Sequence, residues 1–295
     1  AIRDDEGNRV YEERRERPLP SGLRWDGTAS VSDAKSNDGN GNAIDGAYTA
    51  YVEATFANGD VVRAESSRLL LDTVAPRVTP EAAYLLFSPN GDNRKDTFRV
   101  THESSREERW IATISKENEE IAGQEWSGRA GTFSWDGRDA LGNVVSDGSY
   151  TYTIRSTDAA GNRTAREIGP VRVDTTVVSA VTSFSGSGFS PNGDNYRDSI
   201  SVNLFASPNR EIDEWSLTIR DEAERVVRRF GSESGSRVPR SVNWDGRRDS
   251  GVTATDGNYT AELQVSYLKG DLVTATSSSG ALLDTSGPVV RIDPG

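Results

Sequence analysis

Phe133-Ser134-Trp135-Asp136-Gly137, followed closely by Asp147-Gly148-Ser149-Tyr150-Thr151-Tyr152, is the stretch that decides the fold. It couples a Trp-Asp-Gly corner to an Asp-Gly-x-Tyr corner, and the chain carries this couple three times. The other first halves are Trp25-Asp26-Gly27 and Trp244-Asp245-Gly246; the other second halves are Asp45-Gly46-Ala47-Tyr48 and Asp256-Gly257-Asn258-Tyr259. Trp25, Trp135 and Trp244 are spaced 110 and 109 residues apart, the length of one small β domain rather than of a solenoid unit. The chain is therefore an array of like modules.

Around the corners the signal is alternation. Thr97-Phe98-Arg99-Val100 and Thr151-Tyr152-Thr153-Ile154-Arg155 alternate with period two, as do Trp110-Ile111-Ala112-Thr113-Ile114 and Trp215-Ser216-Leu217-Thr218-Ile219. Half-buried strands show this pattern. Clusters of Gly, Asn, Asp and Ser interrupt it roughly every eight to twelve residues. The nearest approach to a helical stripe, Glu222–Phe230, has a counterpart in the second copy that reads as a hairpin. The expected class is all-β: tandem immunoglobulin/fibronectin-III-like β-sandwiches.

Leu71-Asp72-Thr73, Val173-Asp174-Thr175 and Leu283-Asp284-Thr285 mark the junctions. They predict modules at residues 1–75, 76–176 and 177–287, with 288–295 as the start of a further module or a tail. Short junctions predict restricted freedom between neighbours. Ile2-Arg3-Asp4 aligns with Ile219-Arg220-Asp221, so the first module is expected to be N-terminally truncated, with an exposed strand edge or a borrowed strand. With no methionine anywhere, the chain reads as a mature product or an excised piece, and the module cut at its start favours the piece.

Composition narrows the functions. Forty-six acidic against 34 basic residues give a net charge of −12, which excludes nucleic acid as a partner and suits a demand for cations. No cysteine means no disulfide and no thiolate metal site. No apolar run approaches the roughly 20 residues that span a bilayer, so no membrane insertion is expected in this segment.

Two loops carry the strongest site signal. Phe87-Ser88-Pro89-Asn90-Gly91-Asp92-Asn93-Arg94-Lys95-Asp96 and Phe189-Ser190-Pro191-Asn192-Gly193-Asp194-Asn195-Tyr196-Arg197-Asp198 place side-chain oxygens at positions one, three and seven. With the position-five carbonyls of Arg94 and Tyr196, such spacing can surround calcium. The expected calcium sites are thus Asn90, Asp92, Arg94 and Asp96, and Asn192, Asp194, Tyr196 and Asp198. Asn93 and Asn195 fall where the loop needs a left-handed residue. Thr101 and Asn203 stand where an EF-hand has its closing glutamate, so these are not EF-hands. The competing reading is a tight turn held by local hydrogen bonds, with no metal. Asp72 and Asp174 are further candidate ligands at the junctions. In the first module, Asp38, Asn40, Asn42 and Asp45 line a longer loop that either binds a cation or is a polar insertion.

Trp25, Trp135 and Trp244 are expected to plug the cores; the alternative is sugar stacking. Tyr48, Tyr150 and Tyr259 suit a tyrosine corner, with each hydroxyl bonded to nearby backbone. Catalysis has little support. His102, the sole histidine, is expected to be a solvated surface residue, and carboxylate chemistry would need a cleft that tandem sandwiches rarely supply.

The run from Phe133 to Tyr152, and Asn243-Trp244-Asp245-Gly246-Arg247-Arg248-Asp249-Ser250-Gly251, resemble the immunoglobulin-like domain of the bacterial flagellar hook-capping protein. The Phe-Ser-Pro-Asn-Gly-Asp loops are similar to those opening modules of gliding-motility-associated surface proteins, and Asp158-Ala159-Ala160-Gly161-Asn162 resembles a turn of bacterial surface repeats. The resemblance implies an exported, repeat-built bacterial protein in the periplasm, at the cell surface or secreted. The expected function is a non-catalytic spacer, calcium-stabilised, whose partners are neighbouring modules of its parent chain. An adhesion module for a glycan or another envelope protein, or an accessory region of a secreted enzyme, are the alternatives.

Overall fold

The computed structural model describes residues 1–16, 22–30, 40–232 and 237–287. Twenty-two strands and no helix form among them. The apolar residues gather in three separate cores, drawn from residues 2–71, 78–173 and 178–283. Residues 288–295, expected to begin a further module, lie outside the described residues.

The second unit is a sandwich of two sheets. Strands Glu119–Gly128, Glu107–Lys116, Gly148–Thr157, Arg163–Val173 and Leu86–Phe87 form one, in that order, and Phe133–Trp135, Phe98–Ser104 and Val78–Ala82 form the other. The alternation predicted from sequence is the mechanism. On Gly148–Thr157, Tyr150, Tyr152, Ile154 and Ser156 turn inward while their neighbours face out. Trp110, Ala112 and Ile114 do the same on the paired strand, and Phe98, Val100, Phe133 and Trp135 meet them from the other sheet. Burying one face of each sheet against the other is what stabilises such a pair.

The third unit repeats the plan. Gly257–Tyr267 and Ile212–Arg220 are central to its larger sheet, and Ser179–Phe184, Ile200–Ser207 and Ser241–Trp244 form the smaller one. Glu222–Phe230 is a hairpin turn and strand, not a helix. In both units the second strand, only two residues long, joins the larger sheet by pairing in parallel with the last strand: Phe87 beside Val173, and Phe189 beside Leu283.

The first unit differs. Among the described residues it has one sheet, Arg9–Tyr11, Ile2–Asp4, Gly46–Thr55 and Val61–Glu65, with Leu69–Leu71 also on the central strand. Its open element is a face. Val52 stands four residues after its corner tyrosine, as Ile154 and Leu263 do in the other units, yet it is 47% exposed while they are fully buried. No second sheet lies over it among the described residues, so Tyr48 is buried near its corner while the strand beyond it, at Val52, gains little from burial.

Candidate functional site

The three corners are built alike. Each tryptophan packs edge-on against the tyrosine of the next corner, at 5.1 Å for Trp25 and Tyr48, 5.1 Å for Trp135 and Tyr150, and 4.9 Å for Trp244 and Tyr259. The indole N–H donates to the carbonyl three residues on, at Thr28, Arg138 and Arg247. The tyrosine hydroxyls donate to the carbonyls of Ile44, Ser146 and Thr255, four residues earlier, as the tyrosine-corner expectation required. Trp135 and Trp244 are buried and Trp25 is half-buried. Buried rings of this kind fill a core and offer no platform for sugar stacking.

Two further contacts were not foreseen from sequence. The first is a clip. Asp45, Asp147 and Asp256 of the second corners each accept the backbone N–H and the hydroxyl of a junction threonine: Thr73, Thr175 and Thr285. The carboxylate of Asp45, a candidate metal ligand, is engaged in this way. The clip ties each strand start to the point where the chain leaves its unit. The recurring Asp-Thr at the junctions was its only sequence signal. The second contact joins two motifs. A Cβ on Gly137 would stand 2.8 Å from Pro89 Cγ, and one on Gly246 would stand 2.8 Å from Pro191 Cγ. The proline of each Ser-Pro-Asn-Gly-Asp loop therefore lies on the glycine of the Trp-Asp-Gly corner.

The two loops superpose in their bonding. Asn90 Oδ1 accepts the Asp92 amide, Asp92 Oδ1 accepts the Arg94 amide, and the two Asp96 oxygens accept the Gly91 and Asn93 amides. Asn192, Asp194 and Asp198 repeat the set on Asp194, Tyr196, Gly193 and Asn195. Asn93 and Asn195 take the expected left-handed conformation, as do Lys95 and Arg197 two residues later. The candidate oxygens are thus drawn into each loop by its own amides, and a carboxylate oxygen so bonded keeps a second lone pair. Among the described residues no group of three or more His, Cys, Asp or Glu gathers as a metal cluster.

The other candidates are dispersed. Asp72 and Asp174 each cap the amide two residues on, Val74 and Thr176. Asn42 forms a backbone bridge with Thr28, the counterpart of Arg138 with Val144, so it closes the corner, and Asn40 stands two residues before it. Asp38 lies outside the described residues.

His102 corrects the expectation of a solvated residue. It is half-buried, its two ring nitrogens 2.5 Å from the Gly131 carbonyl and 2.5 Å from the Tyr152 hydroxyl, and its ring stacks on Tyr152. An imidazole that donates to the carbonyl and accepts from the phenol is neutral. Burial holds its pKa below the usual 6.5, while the Gly131 contact opposes that shift in part. The unfolded chain therefore takes up this proton first. Stability from His102 is full above about pH 6.5 and declines as pH falls towards the lowered folded value. The melting temperature of the second unit is expected to fall over that window, and His102→Gln to flatten the decline; an unchanged decline in the variant would refute the assignment. Asp139 and Asp158, held below the usual carboxylate range by hydrogen bonds from Asn143 and Asn162, act only at lower pH.

The architecture is that of tandem immunoglobulin-like β-sandwiches. Within it, residues 195–269 match the family described as the FlgD Ig-like domain. No curated protein matches the chain in sequence. Among solved structures, the chain is similar to a tetra-tandem repeat in the extending region of a large adhesion protein, at 19% identity and TM-score 0.35, over 83% of this chain and 58% of that one. It is also similar to the fibronectin(III)-like modules of Clostridium thermocellum CbhA, at 10% identity and TM-score 0.40, over 74% and 100%. A third likeness is to a 1.5-MDa bacterial ice-binding adhesin, at 16% identity and TM-score 0.34, over 83% and 76%. Likenesses this distant say nothing of activity or ligand. Among the described residues no helix is long and apolar enough to cross a membrane.

Proposed function

We propose that the chain is a non-catalytic spacer from an exported bacterial protein, built of modules at residues 1–75, 76–176 and 177–287. The observation that carries this reading is the threefold clip. Asp45, Asp147 and Asp256 bind the threonines that open the following junctions, so an aspartate repeated in all three modules holds the point where the chain leaves each one. Small-angle scattering from the whole chain tests it. The expected particle is one sandwich thick and several long, whereas a compact particle would refute the spacer.

The finer part of the proposal is calcium at the Asn90/Asp92/Asp96 and Asn192/Asp194/Asp198 loops, with the Arg94 and Tyr196 carbonyls completing each set. The inward-drawn oxygens and the left-handed asparagines support it. Bound calcium would supply a fixed positive charge that orders the opening of each module. Calorimetric titration of the chelator-treated chain is expected to give heat for two sites and a rise in melting temperature at millimolar calcium. No heat and no rise would leave the loops as bare turns.

A further inference from the structure

The junction between the second and third units holds a buried charge that the repeats do not share. Lys269 sits at the tip of the hairpin joining Gly257–Tyr267 to Leu272–Thr276, a position that would ordinarily be solvated, yet it is 3% exposed. Its ammonium lies 3.1 Å from Asp271 Oδ2, 3.4 Å from Asp174 Oδ1 and 3.3 Å from the Asp174 carbonyl, and it donates to the Thr176 carbonyl as well. Two carboxylates and two carbonyls from two units thus surround one cation. Asp174 and Asp271 are themselves buried, so neither carboxylate is satisfied by bulk water.

The tip is seated on the first Ser-Pro-Asn-Gly-Asp loop. Asn90 Nδ2 donates to Asp271 Oδ1 at 2.9 Å, and Lys95 Nζ donates to the Leu268 carbonyl at 2.7 Å. Gly270 has φ +110°, and a Cβ there would lie 2.5 Å from the Arg94 carbonyl oxygen. Beside the seat, Arg172 grips both oxygens of Glu211. At the first junction the matching hairpin brings a neutral group: Asn162 Nδ2 donates to the Asp72 carbonyl. Both hairpins lean on the Asp-Thr junction before their unit, but the second does so with a charge.

We infer that Lys269 is the resident cation of the second junction, an ammonium held in a cage of oxygens drawn from both units, and that it locks the second and third units into one rigid pair. Removing the ammonium leaves Asp174 and Asp271 buried without their counter-charge, and the interface must open to hydrate them. The first junction, where the described residues bring no such charge, is the looser one. The purpose of this rigidity rests on the spacer reading; the rigidity itself does not.

The chain has no cysteine, so spin labels can be placed at will. Glu117→Cys and Ser250→Cys put one label on an exposed turn of each unit, and double electron–electron resonance on the whole chain reads the distance between them. The expected result is one narrow distribution, unchanged by chelator or by added calcium, that becomes at least twofold wider in Lys269→Met. Circular dichroism confirms that the variant remains folded. If Lys269→Met unfolds the third unit, Asp174→Asn, on the other side of the junction, is expected to widen the distribution with both cores intact. An unchanged width in the folded variants, or a wild-type distribution that narrows only with calcium, overturns the inference. Failure of the calcium titration at the loops would leave this width untouched, so the two readings fail separately.

Discussion

Trp244→Ala is expected to lower the melting transition of the third unit by more than about 12 °C while leaving the second in place. The ring is fully buried and packs edge-on against both Phe189 and Tyr259. Truncating such a side chain removes its transfer free energy and leaves a cavity, together worth about 3–5 kcal/mol. In a unit of roughly 100 residues each kcal/mol moves the midpoint by about 4–8 °C. The indole N–H bond to the Arg247 carbonyl goes too, so the corner loses its internal brace. Scanning calorimetry of the whole chain resolves the effect, and Trp25→Ala supplies the comparison: its ring is half-buried beneath a single sheet, so its loss should cost far less. Equal costs at positions 25 and 244 would contradict the structure.

Gly246→Ala should cost about 2–5 kcal/mol although it adds only a methyl group. Its φ of +72° is a conformation that costs an L-residue about 1–2 kcal/mol. The new Cβ would also meet Pro191 at 2.8 Å and Leu283 at 3.1 Å, and overpacking of that kind adds about 1–3 kcal/mol. Gly251→Ala isolates the backbone share, because its φ of +82° is similar and nothing lies within 4 Å. Pro191→Ala in the Gly246→Ala background should recover part of the difference. Failure to recover any of it in denaturant melts would separate the proline from the glycine and undo the link between the two motifs.

The sandwich class was legible because it rests on local signals. Period-two alternation around Tyr150 and Phe98 sets which side chains face in, and Trp-Asp-Gly and Asp-Gly-x-Tyr are short enough to be read directly. The left-handed Asn93 and Asn195 were legible for the same reason. What escaped depends on residues that meet only in the fold. The clip from Thr175 to Asp147 spans 28 residues, and Pro89 reaches Gly137 across two sheets. His102 shares the inward face of Phe98 and Val100 on its strand, yet its partners Gly131 and Tyr152 come from elsewhere. Lys269 was least legible of all. A Leu-Lys-Gly-Asp tip looks solvent-facing in any single module, and its burial exists only because another unit sits against it.

The parallel pairing of the short second strand with the closing strand, in the second and third units, has a mechanical consequence. Arg172 N–H bonds the Leu85 carbonyl and Asp174 N–H bonds the Phe87 carbonyl, and Leu282 and Asp284 bond Ser187 and Phe189 in the same way. Tension applied to the two ends of a unit runs along these strands in opposite directions, so the bonds are sheared together instead of being unzipped one after another. With the junction threonine anchored to the corner aspartate, the load enters where several bonds share it, and a tether made this way resists stretch until it yields abruptly.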